Sequence, residues 1–198
     1  MALVTKTVYS EPGYDYRQWA IHVRGTIITE VAKMERMIDD YIAKHFCHYR
    51  KRQIELIEVI ISTKHLTFQS KADIVRFIVV RRGDATKEQA TKIHNALLQE
   101  NKIAYHRNLL AHAELDTSRE AVNIFKADKQ TVRFIKFSAN STKPVVYDKK
   151  EVIRLLELIQ AVIFFFNDVK HNEYQKRLKG QRHTPLSPSA STKRKKTS

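Results

Sequence analysis

With 198 residues, 42% of them hydrophobic, the chain is long enough for one sizeable domain with its own core. Four Gly, four Pro and 29% charged residues suit a mostly helical protein, and a single cysteine, Cys47, excludes an internal disulfide framework. The net charge of +15 favours polyanionic partners, most simply nucleic acid. A generic basic surface that only aids solubility is the alternative.

The elements follow in chain order. Pro12-Gly13 marks a loop. After it, Trp19, Val23, Ile27, Val31, Met34, Ile38, Ile42 and Phe46 recur every three or four residues, which predicts one amphipathic helix from about Tyr16 to Phe46. Gly25 is a weak point inside it, and Asp39-Asp40 are expected to face solvent. A basic stretch, 44–52, separates this helix from a second one carrying Ile54, Ile57, Ile60 and Ile61. Ile74, Phe77, Ile78 and Val79 predict a third, stopped by Gly83-Asp84.

The span 85–115 reads as a fourth, long helix with Ile93, Leu97, Ile103 and Leu110 turned inward. The period then changes. Val122 and Ile124, then Val132 and Phe134, alternate with polar residues on either side of 127–130, the pattern of a β-hairpin. Helical spacing returns from Lys149 to about Leu178, where Phe164–Phe166 belong to the core or a dimer surface. The expected architecture is all-α, a bundle of four to five helices over residues 1–178 with a hairpin inserted before the last long helix. Residues 179–198 carry six basic side chains and no acid. They are too poor in apolar residues to fold, and predict a disordered tail that is either a nuclear address or a basic arm on RNA.

No charged segment followed by a long apolar one opens the chain. The longest apolar run, Ala161–Phe166, is too short for a bilayer. An intracellular, cytoplasmic protein without membrane association is the expectation.

One motif carries chemistry: Arg107-Asn108-Leu109-Leu110-Ala111-His112. An imidazole can move a proton and a guanidinium can hold a phosphate without any metal. The Arg-x4-His spacing by itself is uninformative: about 0.7 copies are expected by chance, and Arg17 to His22 is a second one. Requiring Asn after the Arg lowers that expectation to about 0.02–0.03. On an ideal helix Arg107 and His112 lie about 140° apart, so they converge only at a helix end or across a dimer interface. Asn108 sits one turn below His112 and is placed to hydrogen-bond its imidazole and fix the tautomer. The plain alternative is a salt-bridged Arg107 and an ordinary helix-end His112.

The segment 105–112 resembles the signature of the HEPN (higher eukaryotes and prokaryotes nucleotide-binding) superfamily: an Arg, a frequent Asn, then His after a short spacer. The order of a long first helix, a motif on a late helix and a closing helix is similar as well. The resemblance implies a helical bundle over roughly residues 16–178 that dimerises with its motif helices adjacent, forming a composite site. It also implies a metal-independent endoribonuclease, a toxin or antiphage defence effector, with RNA as substrate, no cofactor and a cognate inhibitor protein as a further partner. His112 would serve as base on a ribose 2′-hydroxyl or as acid on the leaving 5′-oxygen. Arg107 would stabilise the phosphorane charge, leaving a 2′,3′-cyclic phosphate. The family's acid on the first helix falls at Glu35, with Glu30 the other choice. Glu114 stands where some nucleotidyltransferase-associated members carry Tyr, so the form regulated by tyrosine modification is not implied. The alternative within the family is a non-catalytic module that binds RNA or a protein partner and serves as a dimerisation scaffold.

Outside the motif, Arg50, Lys51 and Arg52 are candidates for phosphate contact, with Tyr49 available for base stacking. His45, Cys47 and His48 look ligand-like but lack a second ligand pair, so a basic solvated turn is the reading and no metal is expected. No Gly-rich phosphate loop is present.

Overall fold

The computed structural model describes residues 13–62, 66–138 and 141–181. Helix α1 (Tyr14–Phe46) is the axis of the molecule. Its buried positions Ala20, Val23, Ile27, Val31, Met34, Ile38 and Ile42 form a single stripe at steps of three and four, as the sequence predicts. Phe46 departs from the stripe and is 63% exposed. The helix passes through Gly25 without a break, and a Cβ there would meet nothing within 4 Å, so the weakness is one of propensity alone.

The basic turn leads into α2 (Arg50–Leu56), which continues as a π-helical stretch, Ile57–Ile61, in which only Ile61 is buried. Helix α3 (Phe68–Arg82) turns Val75, Ile78 and Val79 inward and leaves Phe77 outside. It stops at Gly83, whose φ of 71° lets the Gly83 and Asp84 N–H groups bond the Val80 and Val79 carbonyls. Asp39, expected in solvent, is instead buried and paired with buried Lys71 of α3 at 2.7 Å. Asp40 is half-buried and faces Arg50 at 3.5 Å.

The long fourth helix is two helices, α4 (Lys87–Leu98) and α5 (Ile103–His112). Thr86 and Gln89 close a capping box at the start of α4. Between the helices Gln99 and Lys102 are extended and Asn101 takes φ 57°, a left-handed conformation that Asn tolerates better than most residues. The apolar period runs on across this turn, and so the sequence hides it.

The hairpin is displaced. Residues 119–128 form a helix, α6 (Arg119–Asp128), not a strand. The Ser118 hydroxyl accepts the Ala121 N–H at 3.2 Å as an N-cap, and the buried Ala121 and Phe125 are one helical turn apart. The Val122 and Ile124 alternation is too short to outweigh these signals. Strand β2 (Val132–Ser138) does form, and its antiparallel partner is β3 (Ser141–Tyr147), with Val132 opposite Tyr147 and Phe134 opposite Val145. A two-residue strand, β1 (Glu114–Leu115), pairs with the other edge of β2, giving the order β1-β2-β3.

Helix α7 (Lys149–Gln181) closes the molecule along α1, joined by ring contact of Tyr41 with Phe166 and a 2.6 Å hydrogen bond from Gln160 to Glu30. It runs three residues into the expected tail; residues 182–198 lie outside the described residues. Of the Phe run, Phe166 is buried and Phe164 is 62% exposed. Among the described residues no helix is long and apolar enough to cross a membrane. The fold is thus mostly helical with a small three-stranded sheet, and that sheet packs at the end of α5 where the motif stands.

Candidate functional site

Helix α5 is held from three sides. Ile103, His106, Leu109 and Leu110 are its buried face. The C-terminus is tied to α1 by Arg24, whose Nη2 donates to the Ala113 carbonyl at 2.6 Å while its guanidinium lies 4.8 Å over the Phe134 ring. A cation on the last carbonyls complements the negative helix end and stops the helix at His112.

His106, beside the motif, is structural. It is 3% exposed, with Nδ1 at 2.7 Å from the Tyr147 hydroxyl and Nε2 at 3.2 Å from the Asn101 carbonyl and 3.3 Å from a Glu151 carboxylate oxygen. Two acceptors at Nε2 assign the proton to that nitrogen, so Nδ1 accepts from Tyr147. Burial lowers the imidazole pKa and outweighs the opposing pull of Glu151, which Arg154 holds below the usual carboxylate range. Burial likewise raises the Tyr147 phenol.

The sign of the pH effect follows. Below about pH 6.5 the unfolded chain takes up a proton that the folded His106 refuses, so its contribution is complete above that pH and lost on acidification. Urea unfolding at pH 7.5 and 5.5 should therefore show a loss on acidification that is smaller in His106→Gln. Equal losses in the two proteins would contradict the assignment.

Arg107 points to α1. Its Nε lies 3.4 Å from Glu35 Oε1, and its Nη1 donates to Asn108 Oδ1 at 2.9 Å. Asn108 therefore has a different partner from the one its spacing suggested: its carbonyl oxygen serves the guanidinium, because a charged donor one residue away is the stronger match. Glu35 on α1 is half-buried and reaches the motif, whereas Glu30 faces α7 through Gln160.

His112 is exposed and ends the helix. It opens onto a groove of about 300 Å³ lined by Tyr105, Asn108, Leu109, Ala113 and, from β2, Lys136. Arg107 is not part of this lining, which agrees with the 140° offset: within one protomer the guanidinium and the imidazole serve different sides of α5.

The basic turn lies elsewhere. Tyr49 is 79% exposed at the start of α2, Lys51 is exposed, Arg52 pairs with Glu55 at 2.9 Å, and Arg50 faces Asp40. Arg50, His45, Cys47 and His48 line a larger groove of about 630 Å³ with Arg82 and Lys170. Burial, then Arg82 and Arg81, lower the His45 pKa. Arg82 is itself neutralised by Asp84 and Glu173. Along α1, Asp40 lies about 7–8 Å beyond Glu35 and about 140° round the helix, so the basic turn and the motif occupy different flanks. Among the described residues no group of three or more His, Cys, Asp or Glu is placed to hold a metal ion.

Sequence reasoning missed Arg24, Tyr105 and Lys136. Tyr105 carries a signal, since it lies seven residues before His112 and so on the same stripe of α5. Arg24 and Lys136 reach the site only through tertiary packing.

The chain matches no protein-family model, no curated protein and no solved structure at a significant level.

Proposed function

We propose that this protein is a HEPN-type, metal-independent endoribonuclease that cuts single-stranded RNA to 2′,3′-cyclic phosphate and 5′-hydroxyl ends. The observation that carries the reading is the placement of His112. It closes α5 as an exposed imidazole at the mouth of a groove, with Arg107 five residues back on another side of the same helix, where Asn108 holds its guanidinium. His112 takes the proton of a 2′-hydroxyl or returns one to the leaving oxygen, and Arg107 holds the charge that develops on phosphorus. Glu35 orients the Arg107 guanidinium as a supporting acid.

Because Arg107 and His112 diverge in one protomer, the complete site is composite, formed when two copies bring their α5 helices together as a homodimer. The flank carrying Tyr49, Arg50, Lys51 and Arg52 adds sequence-independent contacts to the RNA backbone and bases. A cytoplasmic toxin or defence effector, restrained by a cognate inhibitor, is the setting such an activity fits.

The Arg107–Glu35 ion pair favours one second reading. A guanidinium already neutralised on α1 is also what a non-catalytic HEPN module, binding RNA or a protein partner on a dimer scaffold, would show. Single-stranded RNA incubated in chelator with the wild type, Arg107→Ala and His112→Ala separates the two. Cleavage by the wild type alone supports the enzyme, and identical behaviour of all three sinks it.

A further inference from the structure

We infer that the groove beside His112 is a nucleotide subsite in which Tyr105 stacks a base of single-stranded RNA and Lys136 of the hairpin takes an adjoining phosphate. The inference rests on reading His112 as the reacting group.

Tyr105, Asn108, Leu109 and His112 fall at steps of three and four on α5, so they form one stripe along a single side of the helix. The stripe spans about 10 Å from Tyr105 to His112. Its floor is apolar: Leu109 and Ala113 are 4% and 6% exposed. Its far wall is Lys136, whose ammonium sits 5.3 Å from the centre of the Tyr105 ring. Such a pair holds the ring in place while leaving an exposed cation at the edge of the groove. Among the described residues no acidic one lines it. The Asn108 carbonyl oxygen is occupied by Arg107, so its amide N–H groups are the polar donors left for a base edge.

An aromatic face, an apolar floor, an amide donor and one cation, set next to an imidazole, match the parts of a nucleotide in order. A groove of about 300 Å³ is at the small end of ligand sites and suits one nucleotide rather than a folded partner. The larger groove near Arg50 is a weaker candidate, because Asp40, Asp84 and Glu173 already offset its arginines.

The test is binding of a fully 2′-O-methylated oligoribonucleotide, which lacks the nucleophile and is not cut, followed by fluorescence anisotropy. Tyr105→Ala should weaken binding about 5- to 150-fold, the range of one base stack, and Tyr105→Phe should retain it. Lys136→Gln should weaken binding and make its logarithmic salt dependence shallower by about 0.7, while Lys136→Arg keeps both near wild type. Lys136 is exposed, so its variants test the subsite even if Tyr105→Ala does not fold.

Unchanged affinity and salt slope in Lys136→Gln would overturn the subsite, as would a folded Tyr105→Ala that binds like the wild type. Binding of a free mononucleotide as tight as the oligonucleotide would overturn the assignment to an RNA strand. Since the probe is never cleaved, this result is independent of whether the wild type cuts RNA, and failure of the subsite is distinguishable from failure of the ribonuclease reading.

Discussion

Replacing His112 with alanine is expected to lower RNA cleavage by about 10²- to 10⁴-fold, the usual contribution of a positioned general acid or base. The fold should not notice. His112 is exposed at the end of α5, and among the described residues no hydrogen bond or ion pair involves its ring. A surface change of this kind shifts stability by no more than about 0.5 kcal/mol. Loss of activity with an unaltered urea transition therefore isolates chemistry from folding. Arg107→Ala should cost about 10²- to 10³-fold, as loss of one group stabilising transition-state charge does. Arg107→Lys should not restore it, because an ammonium cannot reproduce a planar fork shared between Glu35, Asn108 and a phosphate. A His112→Ala variant as active as the wild type, measured on the same RNA in chelator, would remove His112 from the mechanism.

The largest effect on stability is expected at Lys71. Lys71 and Asp39 are 7% and 8% exposed and join α3 to α1 through a 2.7 Å ion pair. Lys71→Met keeps the apolar stem but strands a buried carboxylate without its counter-charge, a loss of about 3–5 kcal/mol. That is a large part of the 5–15 kcal/mol typical of a whole domain. The reason is desolvation rather than the strength of the pair, so removing both charges should be far milder. Asp39→Leu combined with Lys71→Met should recover most of the loss. Urea denaturation of the two singles and the double gives the coupling energy directly. A Lys71→Met protein as stable as the wild type would mean that water reaches Asp39.

The sequence and the structure agree where periodicity is long and single-valued. The buried apolar stripe runs from Tyr16 to Ala43 in α1 and from Leu155 to Val169 in α7, long enough to leave no competing pattern. Agreement fails where a local choice is decided from outside. Asn101 breaks the fourth helix without any Gly or Pro, because its carbonyl is wanted by His106 and Arg154. Residues 119–128 were ambiguous over two apolar positions, and the Ser118 cap with burial of Phe125 decided for helix. Asp39 belongs with the charged face of α1 by spacing, yet Lys71 lies thirty-two residues away in sequence and draws it inside.

The site shows the same division. Arg107, Asn108 and His112 are legible as a linear motif, and Glu35 is reachable once a family pattern supplies the first helix. Lys136 is not legible at all, since it arrives on a strand whose pairing places it beside Tyr105. The geometry also alters the motif's internal logic: Asn108 serves the arginine rather than the histidine.

The most direct measurement is the chemistry of the ends left on RNA incubated with wild-type protein in chelator. The account predicts 2′,3′-cyclic phosphate and 5′-hydroxyl termini, with no cut at a position carrying a single 2′-deoxyribose. Uncut RNA, or 3′-hydroxyl ends produced only when a divalent cation is added, would contradict it.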